Sequence, residues 1–79
     1  MRKPIYMPKF GMTMTAGLIV TWHKQEGERV NQGDLLFTVE TEKVDTDVEA
    51  PVGGVLTGVQ YEEGDEAEVG EVVAYIETV

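Results

Sequence analysis

Lys43 falls at the centre of FTVETEKVDTDVEA, between two stretches whose residues alternate in character. An amine held out from a turn has a geometry useful to a carrier, and this tip is where function is most worth suspecting. Little else competes. His23, the single histidine, stands beside Trp22 with no serine, cysteine or second histidine at a usable spacing. It reads as a surface or rim residue, not a general base. Asp45, Asp47 and Glu49 recur at every second position and so share one strand face, which could hold a cation only weakly and is more often simply solvated. The glycines do not form a phosphate-loop pattern, and Trp22, Phe10 and Phe37 read as core or rim packing. No catalytic group and no metal site is expected.

The segments around Lys43 must position it. Leu35, Phe37 and Val39, then Val44, Thr46, Val48 and Ala50, fall on one face. Thr38 and Glu40, then Asp45, Asp47 and Glu49, fall on the other. This period of two marks half-buried strands. Pairing Thr41 with Val44 places Val39 opposite Thr46 and Phe37 opposite Val48, so one register satisfies the whole inner face. The turn is then Glu42-Lys43, although two-residue hairpins favour Asn-Gly or Asp-Gly, whose residues accept positive φ. A local rule broken at an exposed tip points to function. A lone hairpin lysine is usually just solvated, but the organisation of the whole chain argues for more.

With 79 residues and no cysteine, the chain is sized for one small domain, unaided by disulfides or thiolate-bound metal. A net charge of −9 opposes binding to nucleic acid or to anionic membranes. No apolar run approaches a membrane span, and MRKPIYMPKF lacks a signal peptide's apolar stretch. A cytoplasmic module is expected, with the mitochondrial matrix as the alternative.

The chain also repeats itself. Shifted by 37 positions, Gly17 to Thr41 falls on Gly54 to Thr78 without gaps, with six identities in 25 positions: Gly17/Gly54, Glu26/Glu63, Gly27/Gly64, Gly33/Gly70, Glu40/Glu77 and Thr41/Thr78. The preceding parts, Ile5 to Ala16 against Glu42 to Gly53, share no identity and are aligned by register alone. Two similar β units, about 5–41 and 42–78, are expected to fold around an approximate two-fold axis within one domain. Strands are expected near 4–8, 17–25, 35–41, 44–50, 54–61 and 72–77, giving an all-β sandwich or barrel. Two-fold rotation carries the 41–44 turn onto the region of Thr78 and the first strand, so the tip should project away from both termini.

The ETEKV hairpin, the MPKFGMTMTAG opening, the EGERVNQGD stretch and the APVGGVL stretch together resemble the lipoyl domain of 2-oxo acid dehydrogenase acyltransferases, from about Tyr6 to Glu77. The resemblance implies a flattened barrel-sandwich of two four-stranded sheets with quasi-two-fold symmetry. It also implies lipoic acid in amide linkage on Lys43, flanked by Glu42 and Val44. The family more often has Asp before the lysine, and Glu42 preserves the charge. Biotinyl domains share the fold but usually flank their lysine with methionines, whereas Met7, Met12 and Met14 lie elsewhere. The glycine-cleavage carrier resembles the motif but normally has additional structure. An unmodified barrel-sandwich adaptor is a further alternative.

By the same resemblance, the domain is a non-catalytic swinging-arm carrier. Its partners would be a thiamine-diphosphate-dependent 2-oxo acid decarboxylase, the acyltransferase catalytic domain and dihydrolipoamide dehydrogenase. Glu40, Asp45 and the loop bearing Phe10 and Met12 are the expected recognition residues; the bland reading of that loop packs Phe10, Met12 and Met14 into the barrel end. A lysine with its usual pKa of about 10.4 is protonated at pH 7, and neighbouring carboxylates favour that form. Attachment therefore requires a lipoate ligase or lipoyl transferase acting with an activated lipoyl group.

Overall fold

The computed structural model describes residues 1–12, 14–42 and 44–78. Eight strands follow in order: β1 (Arg2–Tyr6), β2 (Ala16–Trp22), β3 (Arg29–Val30), β4 (Leu35–Glu40), β5 (Asp45–Glu49), β6 (Gly54–Thr57), β7 (Glu66–Glu68) and β8 (Val72–Glu77). They form two four-stranded antiparallel sheets, ordered β1-β8-β6-β3 and β5-β4-β2-β7. The expected all-β sandwich of two four-stranded sheets is what forms. Six strands overlap the expected ones; β3 and β7 are additional.

One half of the sheet order maps onto the other, β1 on β5, β8 on β4, β6 on β2 and β3 on β7. The turns repeat as well. Gly27 N–H donates to Leu56 C=O at 2.6 Å and Gly64 N–H to Ile19 C=O at 2.7 Å, each bond crossing between halves. Both glycines have φ near +90°, a conformation open to glycine and strained for other residues.

The 37-residue offset fails before β2. Met7 N–H donates to Glu71 C=O and Ala50 N–H donates to Asp34 C=O, both at 2.8 Å, so Met7 corresponds to Ala50, 43 positions on. Ile5 opposite Ala74 likewise matches Val48 opposite Phe37. The alignment of Ile5 to Ala16 with Glu42 to Gly53 is thus corrected. The first half carries six extra residues between Pro8 and Ala16, where the second half needs only Val52 between Pro51 and Gly53.

The core contains Ile19, Leu36, Phe37, Val39, Leu56, Val73 and Ile76, all fully buried. Leu35, expected inside, is 40% exposed, and Leu36 takes its place. The cause is a break in β4–β5 register between Leu35 and Phe37. Such a bulge places consecutive residues on one side. Burying a second large side chain contributes about 2 kcal/mol, more than the roughly 1 kcal/mol of one ladder hydrogen bond. The same break recurs in β1–β8, where Val73 and Ala74 are both buried.

Candidate functional site

The hairpin around Lys43 has the expected register. Phe37 lies opposite Val48, Val39 opposite Thr46 and Glu40 opposite Asp45. The ladder is closed by Thr41, whose N–H donates to Val44 C=O at 2.9 Å. Its hydroxyl accepts Val44 N–H at 3.2 Å and is placed to donate to Val44 C=O at 3.1 Å. Glu42 does not have positive φ, so the turn avoids the primed types that would demand Asn-Gly. Lys43 itself lies outside the described residues. Its neighbours Glu42 and Val44 are both exposed, Val44 at 49% despite its place in the inner-face pattern.

Part of the loop that holds the six extra positions borders this hairpin. Phe10, Gly11, Met14, Thr15 and Ala16 line one side of an open groove of about 400 Å³, and Thr41, Glu42 and Val44 line the other. The loop is folded on itself, with Phe10 N–H directed at Met14 Sδ (3.3 Å) and Met14 N–H donating to Gly11 C=O (3.2 Å). Met14 packs against the core, whereas Met12 is 94% exposed and Phe10 sits at the rim. Of Phe10, Met12 and Met14, only Met14 packs against the core, so the bland reading of the loop holds for that residue alone. Gly17 permits this closeness: a Cβ there would lie 2.5 Å from Val39 Cγ1 and 3.1 Å from both Met14 Cε and Met7 Sδ. The insertion thus brings Phe10 to the groove beside the hairpin, whereas Met12 does not line it.

The acidic flanks differ from their symmetry mates. Glu40 faces Asp45 across the strands, whereas the corresponding pair in the other sheet is Arg2 opposite Glu77. Like charges directly opposite destabilise a sheet, and opposite charges support it. The hairpin end therefore lacks the cross-strand charge attraction that its symmetry mate has.

On the outer face, Thr38 donates to Asp47 at 2.6 Å and accepts from His23 Nε2 at 2.7 Å. Asp47 is therefore engaged rather than merely solvated. The threonine proton points to the carboxylate, so histidine does not activate the hydroxyl as a nucleophile. Among the described residues no three metal-binding side chains converge. Trp22 stacks obliquely on Phe37, ring centroids 4.8 Å apart, and its Nε1–H donates to Tyr61 C=O at 2.9 Å. Sequence reasoning gives no role to the Thr41 hydroxyl or to the Glu26/Glu63 pair, though all three residues belong to the repeat's identities.

A family model described as "Biotin-requiring enzyme" matches residues 3–76. The chain is 42% identical, over 94% of its length, to the dihydrolipoyllysine-residue acetyltransferase component 5 of the chloroplastic pyruvate dehydrogenase complex of Arabidopsis thaliana, of which it spans 16%. Among solved structures, the lipoyl domain of the 2-oxoglutarate dehydrogenase complex of Azotobacter vinelandii matches with a TM-score of 0.79 at 33% identity, over 95% of each chain. Kluyveromyces lactis urea carboxylase shares the fold, with a TM-score of 0.78 at 23% identity over 98% of this chain and 6% of its own. The chain belongs to the biotin/lipoyl family, and within it is a lipoyl domain similar to those of the acyltransferase components of 2-oxo acid dehydrogenase complexes.

Proposed function

We propose that Lys43 is the attachment point for lipoic acid and that residues 1–79 act as one carrier unit. The observation that supports this most is the hairpin ladder, closed at Thr41/Val44 with only Glu42 and Lys43 between them. When attached, the lipoyl group supplies a dithiolane that accepts an acyl group and electrons and later releases them. The rest of the work belongs to the chain. Thr41 fixes the base of the turn, and exposed Glu42 and Val44 leave the linkage open to other proteins. In attachment, the neutral lysine amine attacks the lipoyl carbonyl, the activating group leaves with its bonding electrons, and the surplus N–H proton passes to solvent or to a base of the loading enzyme.

Among the described residues no general base and no catalytic constellation is found. The chain therefore works by presentation. Tethering such a domain near several active sites replaces bimolecular encounter with a high effective concentration. The proposed partners are the thiamine-diphosphate-dependent decarboxylase, the acyltransferase catalytic domain and dihydrolipoamide dehydrogenase, with a ligase or transferase for loading. Glu40, Asp45, Phe10 and Met12 form the proposed recognition surface. Among the described residues no helix is long and apolar enough to cross a membrane. The cytoplasm or the mitochondrial matrix is the proposed setting.

Biotin carriage is the second reading, motivated by the fold shared with urea carboxylase. Incubating the apo domain with lipoate ligase, lipoate and ATP, and separately with biotin ligase, biotin and ATP, separates the two by intact mass. A lipoyl adduct alone is expected. A biotinyl adduct alone, or none in either reaction, would overturn the proposal, the latter in favour of a structural adaptor.

A further inference from the structure

We infer that Thr41 is a positioning residue for lipoylation, its hydroxyl holding the base of the tip so that the ligase meets the amine in one place. The inference rests on the carrier reading above. The hydroxyl accepts Val44 N–H at 3.2 Å and is placed to donate to Val44 C=O at 3.1 Å. Beside it, the Thr41 N–H bond to Val44 C=O spans the same two residues at 2.9 Å. Because Glu42 lacks positive φ, the tip does without the primed turns whose twist matches that of the strands. Side-chain bonds across the closing pair supply part of what the turn does not.

The repeat separates this role from the turn itself. Thr78, equivalent to Thr41, donates its N–H to Met1 C=O at 2.8 Å and its hydroxyl to the same oxygen at 2.9 Å. No turn joins those strands, so the threonine clasp closes a strand pair by its own bonds. At 41–44 the clasp sits at the base of the two residues that the ligase must engage. When the pair opens, only a fraction of molecules presents the amine correctly, and apparent affinity falls by that fraction. The effect should therefore appear in KM, with kcat retained.

The test uses Thr41→Val, which keeps the branched shape without the hydroxyl, with Thr41→Ser and Thr78→Val as comparisons. Purified apo domains are assayed with lipoate ligase, lipoate and ATP, and Val44 amide exchange is followed by NMR well below the melting temperature. Losing the clasp should lower kcat/KM about tenfold in Thr41→Val, through KM, and speed Val44 exchange. Serine should restore kcat/KM to within about twofold, because it keeps the hydroxyl. Thr78→Val should behave as wild type in lipoylation. Wild-type kinetics in Thr41→Val, or no rescue by serine, would overturn the role of the hydroxyl while the wild-type domain is still lipoylated. An unmodified wild-type domain would instead refute the carrier reading.

Discussion

The carboxylate of Glu63 accepts the backbone N–H of Trp22 at 2.8 Å, tying the second half of the chain to the first. Its repeat mate Glu26 does the reverse, accepting Val59 N–H at 3.0 Å. Trp22 and Val59 are themselves 37 positions apart, so the two bonds are one contact used twice. Both carboxylates are exposed, which limits the worth of each bond. Glu26→Ala and Glu63→Ala should each cost about 1 kcal/mol, lowering the melting temperature by about 4–8 °C. Glutamine at either position should retain most of that stability, because its amide oxygen still accepts. Thermal melts of the four variants provide the check.

Gly17 sets the distance between the loop and β4. Its added Cβ would meet Val39 Cγ1 at 2.5 Å, in a fully buried part of the sheet. Gly17→Ala should destabilise the domain by about 1–3 kcal/mol through overpacking. It should also push Met14 outward and disturb the groove beside the tip. Urea unfolding gives the first effect, and NMR shifts of the Met14 methyl group and Val44 give the second. An unchanged midpoint with unchanged shifts would remove the packing argument.

The fold's outline was legible in the chain, but its irregularities were not. The alternation from Phe37 to Val48 fixed the hairpin register, because a slip by one residue would have turned Phe37 and Val39 outward. The same counting misplaced Leu35, since a bulge lets Leu36 and Phe37 share one side. β3 and β7 have two and three residues, too few to display a period. The extra residues between Pro8 and Ala16 were hidden by a constant offset of 37, and only the bonds of Met7 and Ala50 revealed an offset of 43. At the site, Thr41 was visible as a repeat identity, but its clasp needed coordinates. Asp47 was counted with the solvated face because nothing local in sequence brings Thr38 and His23 to it.

Glu40 opposite Asp45 should exchange stability for recognition. Replacing Glu40 by lysine puts opposite charges across the strands and should stabilise the hairpin by about 0.2–1 kcal/mol. The same change should slow reductive acylation by the decarboxylase, since it reverses a charge on the proposed docking surface. Melting and single-turnover acylation, measured on the lipoylated variant, decide the matter together. Unchanged acylation in both Glu40→Lys and Asp45→Lys would leave the acidic flanks without a recognition role.

Glu28 gives the 25–28 turn a dependence on pH. Its carboxylate accepts Gln25 N–H at 3.0 Å and lies 3.5 Å from Lys24 Nζ. The backbone bond first, and the lysine after it, hold its pKa below the ordinary 4.5. A depressed folded-state value stabilises the fold above the unfolded-state pKa, and that stabilisation is lost as pH falls through the folded value. Acidification from about pH 5 to pH 3 should therefore cost wild type more stability than Glu28→Gln. Parallel melts across that range test it, and equal losses would count against the turn's contribution.

The most direct test of the carrier account is peptide mapping of the domain after reaction with lipoate ligase. The chain has four lysines: Lys3, Lys9, Lys24 and Lys43. The account predicts a lipoyl mass on the peptide containing Lys43 and none on the others. It also predicts no adduct at all in the Glu42→Lys/Lys43→Glu double variant, where the amine moves by one residue. Modification of another lysine, or normal modification of the shifted amine, would contradict it.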